Sequence, residues 1–213
     1  MIHKLGPNFK KAGRLTALLG FVFLLSCQDY YQPKARGYVR IFLPQKEYKR
    51  TQDTLPYIFD IPVYSNFKTD QHPFAEKYWT NLEFPMFKAK LHLSYKPVEN
   101  NLNSLLEDAY KLANKHIPKA NAIQEQLYVN KEKSVYGLTF LIKGTEAASP
   151  YQFFVTDSTH HFLRGALYFN VRPNNDSLAP IIDFLEKDIQ RLIESLEWNK
   201  MKNGSIKKAA KRK

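Results

Sequence analysis

In the stretch FKAKLHLSYK, residues 87–96, Phe87, Ala89, Leu91, Leu93 and Tyr95 alternate with Lys88, Lys90, His92, Ser94 and Lys96. Successive side chains of a strand point to opposite faces, so this period of two predicts a strand with one packed and one wet face. The same alternation runs through Val39-Ile41-Leu43, Tyr57-Phe59-Ile61-Val63, Ile123-Leu127-Val129, Tyr136-Leu138-Phe140-Ile142 and Tyr151-Phe153-Val155. Its longest instance is HFLRGALYFNVR, with Leu163, Gly165, Leu167, Phe169 and Val171 on one side. Alternation of this kind favours antiparallel pairing, because doubly covered parallel strands are apolar on both faces.

Two segments change period. Leu102, Leu105, Leu106, Ala109 and Leu112 form a stripe at helical spacing, with Asn101 as a suitable cap and Pro118 blocking continuation. A second helix is expected to open after Ser177, with Pro180 in its first turn. Its stripe is Leu178, Ile181, Ile182, Leu185, Ile189, Leu192, Ile193 and Leu196, and Trp198 closes the packed part. Strands, a helix, more strands and a last helix predict an α+β fold, a mainly antiparallel sheet with two amphipathic helices packed on it. The element order and the closing FLEKDIQRLIESLEW resemble the PsbP/Mog1-like architecture, a likeness of order that says nothing about function.

The N-terminal end follows another pattern. Lys4, Lys10, Lys11 and Arg14 come before any acid, and Leu15 to Ser26 is a run of twelve residues without charge. A basic stretch followed by a short apolar one is the layout of a secretory signal peptide. As a helix the run would span roughly 18 Å, short of a hydrocarbon core of about 30 Å. Leu24-Leu25-Ser26-Cys27 resembles a bacterial lipobox, and Cys27 is the one cysteine in the chain. A lone thiol makes no internal disulfide, and in an oxidising compartment it is a liability that a thioether-linked lipid removes. Cys27 is therefore read as the lipid attachment, and acyl chains contribute about 0.8 kcal/mol per buried CH₂ to holding a domain at a membrane. The expected organisation is a lipoprotein signal peptide over 1–26, a tether over 27–36, one α+β domain over 37–198 and a basic, disordered tail over 199–213.

The formal net charge of +12 suggests nucleic acid until its distribution is considered. Four basic residues lie in the leader and seven lie after Trp198 without an acid among them, which leaves +1 for the body. A nucleic-acid-binding domain would carry its excess on a folded face, so no nucleic-acid partner is expected. The tail, NKMKNGSIKKAAKRK, reads as a solvated end, or as one drawn to anionic headgroups, cell-wall polymer or an acidic partner.

Catalytic patterns are scarce. The sequence has no Gly-x-Ser-x-Gly elbow, no phosphate-cradling glycine loop and no His-Glu-x-x-His, and a single cysteine excludes the usual thiolate zinc site. The densest polar cluster is VTDSTHHFLRG, with Asp157, Ser158, His160, His161 and Arg164. One reading is a Ser/His/Asp hydrolase or a metal at the histidines, giving a periplasmic enzyme or small-ligand binder with its site near Asp157 to Arg164. The plainer reading is a turn in which Asp157, Ser158 and Thr159 cap the backbone. His160 and His161, adjacent on a strand, would then point to opposite faces. His92, between lysines, and His116, at a helix end that suits the dipole, read as structural or solvated. Most aromatic residues fall on packed faces, whereas Tyr30, Tyr31 and Tyr38 near the tether suit a partner surface or a membrane interface.

Three segments, PKARGYVRIFLP, FKAKLHLSYKPVENNLNSLLEDAYKLANKH and QFFVTDSTHHFLRGALYFNVRPNNDSLAPIIDFLEKDIQRLIESLEW, resemble the gliding-motility lipoprotein D (GldD) family of the Bacteroidota. The lysine-rich tail lies outside the resemblance. The family implies a membrane-anchored lipoprotein required for gliding over surfaces, a non-catalytic accessory factor linked to the type IX secretion machinery. It implies no enzyme activity, no cofactor and no metal. Its partners would be other gliding-motility and secretion proteins of the envelope, with the membrane reached through the lipid on Cys27. Within the matching segments Arg36, Gly37, Tyr38, Arg164, Arg172 and Pro173 are candidate partner surface. Only Asp29 is acidic just after Cys27, which argues against an acid-rich surface-export signal and for the outer membrane facing the periplasm.

Overall fold

The longest alternations become the longest strands. A computed structural model describes residues 41–199, so the expected leader, Cys27, the tether with Arg36, and Gly37 and Tyr38 lie outside the described residues, as does the tail beyond 199. The chain divides between Arg40 and Ile41, and the second unit carries every element below.

In chain order the strands are β1 (Tyr48–Arg50), β2 (Tyr57–Ile58), β3 (Asp60–Pro62), β4 (Asn66–Thr69), β5 (Thr80–Phe84) and β6 (Ala89–Pro97). Helix α1 (Leu102–Asn114) follows, then β7 (Ala122–Asn130), β8 (Val135–Lys143), β9 (Tyr151–Thr156) and β10 (His161–Phe169). Helix α2 (Asn175–Ser195) and β11 (Glu197–Trp198) close the domain. Seven strands form one antiparallel sheet in the order β4-β5-β6-β10-β9-β8-β7, and two small ribbons pair β1 with β3 and β11 with β2. The fold is α+β, mainly antiparallel, with two helices.

The helices cover opposite faces of the sheet. Leu91, Leu93, Tyr95, Phe153, Val155, Leu163 and Leu167 pack with Leu185, Ile189, Leu192 and Ile193 of α2, and the ribbons add Tyr57, Phe59 and Ile61. On the other face Leu138, Phe140, Ile142, Phe154 and Phe162 pack with Ala109 and Ala113 of α1. The expectation of one packed and one wet face is therefore corrected for the central strands: β9 is buried at all six positions. Alternation there separates two cores. Each large apolar side chain fully buried in either core stabilises the fold by about 1.5–3 kcal/mol.

Helix α1 covers only part of its face. Toward β4, β5 and β6 the same side of the sheet carries Lys68, Asn81, Glu83, Lys90, His92 and Ser94, and stays polar.

Local expectations shift in four places. Ile41, Phe42 and Leu43 form no strand, and Phe42 is 78% exposed; alternation makes no strand without a neighbour to receive its ladder. The run Tyr57 to Val63 breaks at Phe59, whose backbone bonds with Thr51 and so passes the chain from one ribbon to the other. Helix α2 begins ahead of Ser177, because Asn174 caps it by accepting from the Ser177 N–H, and Pro180 lies inside the helix rather than in its first turn. Asn101 flanks α1 as expected but makes no side-chain cap bond to it; its Oδ1 accepts from Glu99 instead.

Candidate functional site

The polar cluster of the sequence is the hairpin turn between β9 and β10. Asp157 Oδ1 accepts from the N–H groups of Thr159, His160 and His161 at 3.0, 2.8 and 2.8 Å. Burial pushes the Asp157 carboxyl up, but those backbone donors and the neighbouring His161 outweigh it and hold the group below its ordinary value. Its lone pairs are spent on the turn, so Asp157 is no base for Ser158, which takes the left-handed conformation the turn requires at φ 67°. His160 is exposed. His161 is half-buried, with Nδ1 2.8 Å from the Tyr95 hydroxyl and its ring stacked on Trp198 at 5.0 Å. The two histidines thus face different surroundings. Among the described residues no group of three or more His, Cys, Asp or Glu is arranged to hold a metal ion.

Of the candidate partner residues the structure describes Arg164, Arg172 and Pro173. Arg164 lies midway along β10, on the face that α1 partly covers, and its Nη2 donates to Gln152 Oε1 at 2.5 Å. Burial lowers the tendency of its guanidinium to stay charged, with Tyr168 acting in the opposite sense. Arg172 is exposed and Pro173 half-buried in the loop that leads to α2. Near Arg164 stand His92, opposite Ala166 of β10, and His116, just past the end of α1. Burial lowers both histidines; Lys90, then Arg164, lower His92 further against Asp70, and Arg164 lowers His116 further.

A second polar centre escaped the sequence reading. Asp188 of α2 is 1% exposed, yet its carboxylate meets Lys46 Nζ at 2.6 Å, the Tyr48 hydroxyl at 2.9 Å and the Tyr64 hydroxyl. Lys46 also donates to the Phe184 carbonyl at 2.7 Å and lies over the Phe184 ring. Burial raises both tyrosines, and their bonds to Asp188 raise them further; burial lowers Lys46 against the pull of Asp188. The cluster fastens the segment from Lys46 to Tyr64 to α2. A signal did exist: 188 is three residues after Leu185 and four before Leu192, so an acid falls within the apolar stripe.

No helix among the described residues is long and apolar enough to cross a membrane. Among solved structures the chain is similar to cyanobacterial PsbP (CyanoP) from Synechocystis sp. PCC 6803, at 11% identity and a TM-score of 0.46, covering 78% of this chain and 98% of that one. No curated protein matches. The profile described as gliding motility lipoprotein GldD matches residues 28–198, from the position after Cys27 to the last strand. The chain belongs to the gliding motility lipoprotein GldD family.

Proposed function

We propose that the protein is a lipid-anchored, non-catalytic accessory factor required for gliding motility, supporting assembly or stability of an envelope complex linked to the type IX secretion machinery. The observation that carries this reading is the family match from residue 28, directly after the one cysteine, to 198. Family membership supports a role in gliding motility and a membrane-anchored place in the cell envelope. The accessory role gains support from the described polar clusters: Asp157 closes a turn and Asp188 fastens an N-terminal segment, so both carboxylates are committed to structure. The tether acts through Cys27, from the periplasmic face of the outer membrane, and exposed Arg172 and half-buried Pro173 are surface that a partner can reach.

The test is co-purification. Tagged protein is extracted from membranes in mild detergent beside a Cys27→Ser control, and the proteins that accompany it are identified. A discrete set of motility and secretion proteins, lost in the control, is the expected result. A protein that emerges alone in both preparations, or a Cys27→Ser strain that spreads and secretes normally, overturns the reading.

A further inference from the structure

The α1 face of the sheet holds, in Arg164, a cation without a counter-charge among the described residues. Arg164 makes one side-chain hydrogen bond, to Gln152, and no ion pair among the described residues. A guanidinium carries five N–H donors in a planar fork, so most of its bonding capacity is unspent in a half-buried position. On the same face the Glu83 carboxylate is already engaged, by Lys90 at 3.2 Å and by Lys68 at 2.9 Å.

The sheet row beside Arg164 adds an independent observation. Asn81, His92, Ala166 and Gln152 stand opposite one another on consecutive strands β5, β6, β10 and β9. Gln152 is 1% exposed and Asn81 6%, yet Gln152 Nε2 and Asn81 Oδ1 have no hydrogen-bond partner among the described residues. Three strand spacings, roughly 14 Å, separate the two amides, so they cannot satisfy each other. Between them stand the His92 ring and the methyl of Ala166. An open donor therefore lies beside an under-bonded guanidinium, with an open acceptor farther along the same row.

We propose that this row and the neighbouring Arg164 form a ligand-binding site in which Arg164, positioned by Gln152, receives a carboxylate group. The fork of a guanidinium matches the two oxygens of a carboxylate. The charge count favours that group over phosphate. His92 is lowered by burial, then by Lys90 and Arg164, and His116 by burial and Arg164, so at pH 7 neither imidazole adds a full charge and the guanidinium itself offers one positive charge to one negative charge. The site is independent of the assembly role and stands or falls on its own measurement.

The full chain, isotopically labelled, is titrated with acetate, with N-acetylalanine as the same group on a peptide end, and with inorganic phosphate. The Arg164 guanidinium and the His92 and His116 rings are followed by NMR. The expected result is saturable movement of these signals with acetate at a Kd of about 1–10 mM, the range of a small fragment. Tighter binding of N-acetylalanine would identify a peptide end as the source of the carboxylate, and equal binding a free small acid. Arg164→Lys should weaken binding about tenfold or more. Should that variant fail to fold, Gln152→Glu places a carboxylate beside the guanidinium and should abolish acetate binding in a folded protein. Signals that do not move, phosphate binding tighter than acetate, or undiminished acetate binding by Gln152→Glu would each overturn the proposal.

Discussion

Asp188 shows what a single side chain can hold. A buried carboxylate is tolerated only when its charge and lone pairs are met, and Lys46, Tyr48 and Tyr64 meet them. Asp188→Asn leaves Lys46 without its partner, and we expect a loss of about 3 kcal/mol in urea unfolding, the lower end for a broken buried pair because Lys46 keeps some access to water. Tyr48→Phe removes one bond to a charged acceptor and should cost about 1.5 kcal/mol. Equal stability of Asp188→Asn and the parent would mean that the cluster holds nothing. The acid's place in the stripe is readable along the chain, but its partners are not: the two tyrosines lie 140 and 124 residues away. The turn at Asp157 is the opposite case. Its acceptor and donors lie within four residues, and its chemistry was legible for that reason.

At the scale of elements, the β9–β10 pairing depends on the absence of a side chain. Gly165 stands opposite Phe153, and a Cβ built there would overlap the Phe153 ring, which is fully buried. Glycine ordinarily weakens a strand, but here the aromatic ring of the neighbouring strand fills its place. Gly165→Ala should therefore destabilise the domain by about 1–3 kcal/mol, through overpacking, in thermal or urea unfolding. Combining it with Phe153→Leu should cost less than the sum of the two changes, since one relieves the other. Strict additivity would place the strain elsewhere. The long strands β6, β8, β9 and β10 and both helices follow their periodicities. The short strands β1, β4 and β11 have too few residues to show a period, and β5, TNLEF, is buried at four of five positions, so its sequence shows none either.

For the molecule as a whole, layering sets the response to acid. His92 and His116 stand near Arg164 on the α1 face of the sheet and His161 beside Tyr95 on the other, and burial holds each below its ordinary value of 6.5. An unfolded chain has histidines near that ordinary value, so it takes up protons first as pH falls through 6.5. Stability should be level above about pH 7, decline as pH drops below 6.5, and level out only beneath the folded values. Glu186, raised by burial and by Asp183, pulls the other way, but its titration begins from the carboxylate range. Urea midpoints compared at neutral and mildly acidic pH check the sign. A midpoint that rises on acidification would contradict it.

Neighbouring residues were enough to mark the lipobox-like cysteine, the strand and helix periods, the Asp157 turn and the family segments, because each is written within a few turns or strand lengths of chain. Nothing local shows which helix covers which face of a strand. The polar positions of β9 and β10 looked solvated, yet α1 and α2 enclose the sheet from both sides, so Gln152 is buried and Arg164 half-buried. Burial is a property of contacts between distant segments. Arg164 beside Gln152 and Asp188 beside Lys46 are decided there, where desolvation makes a missing partner costly.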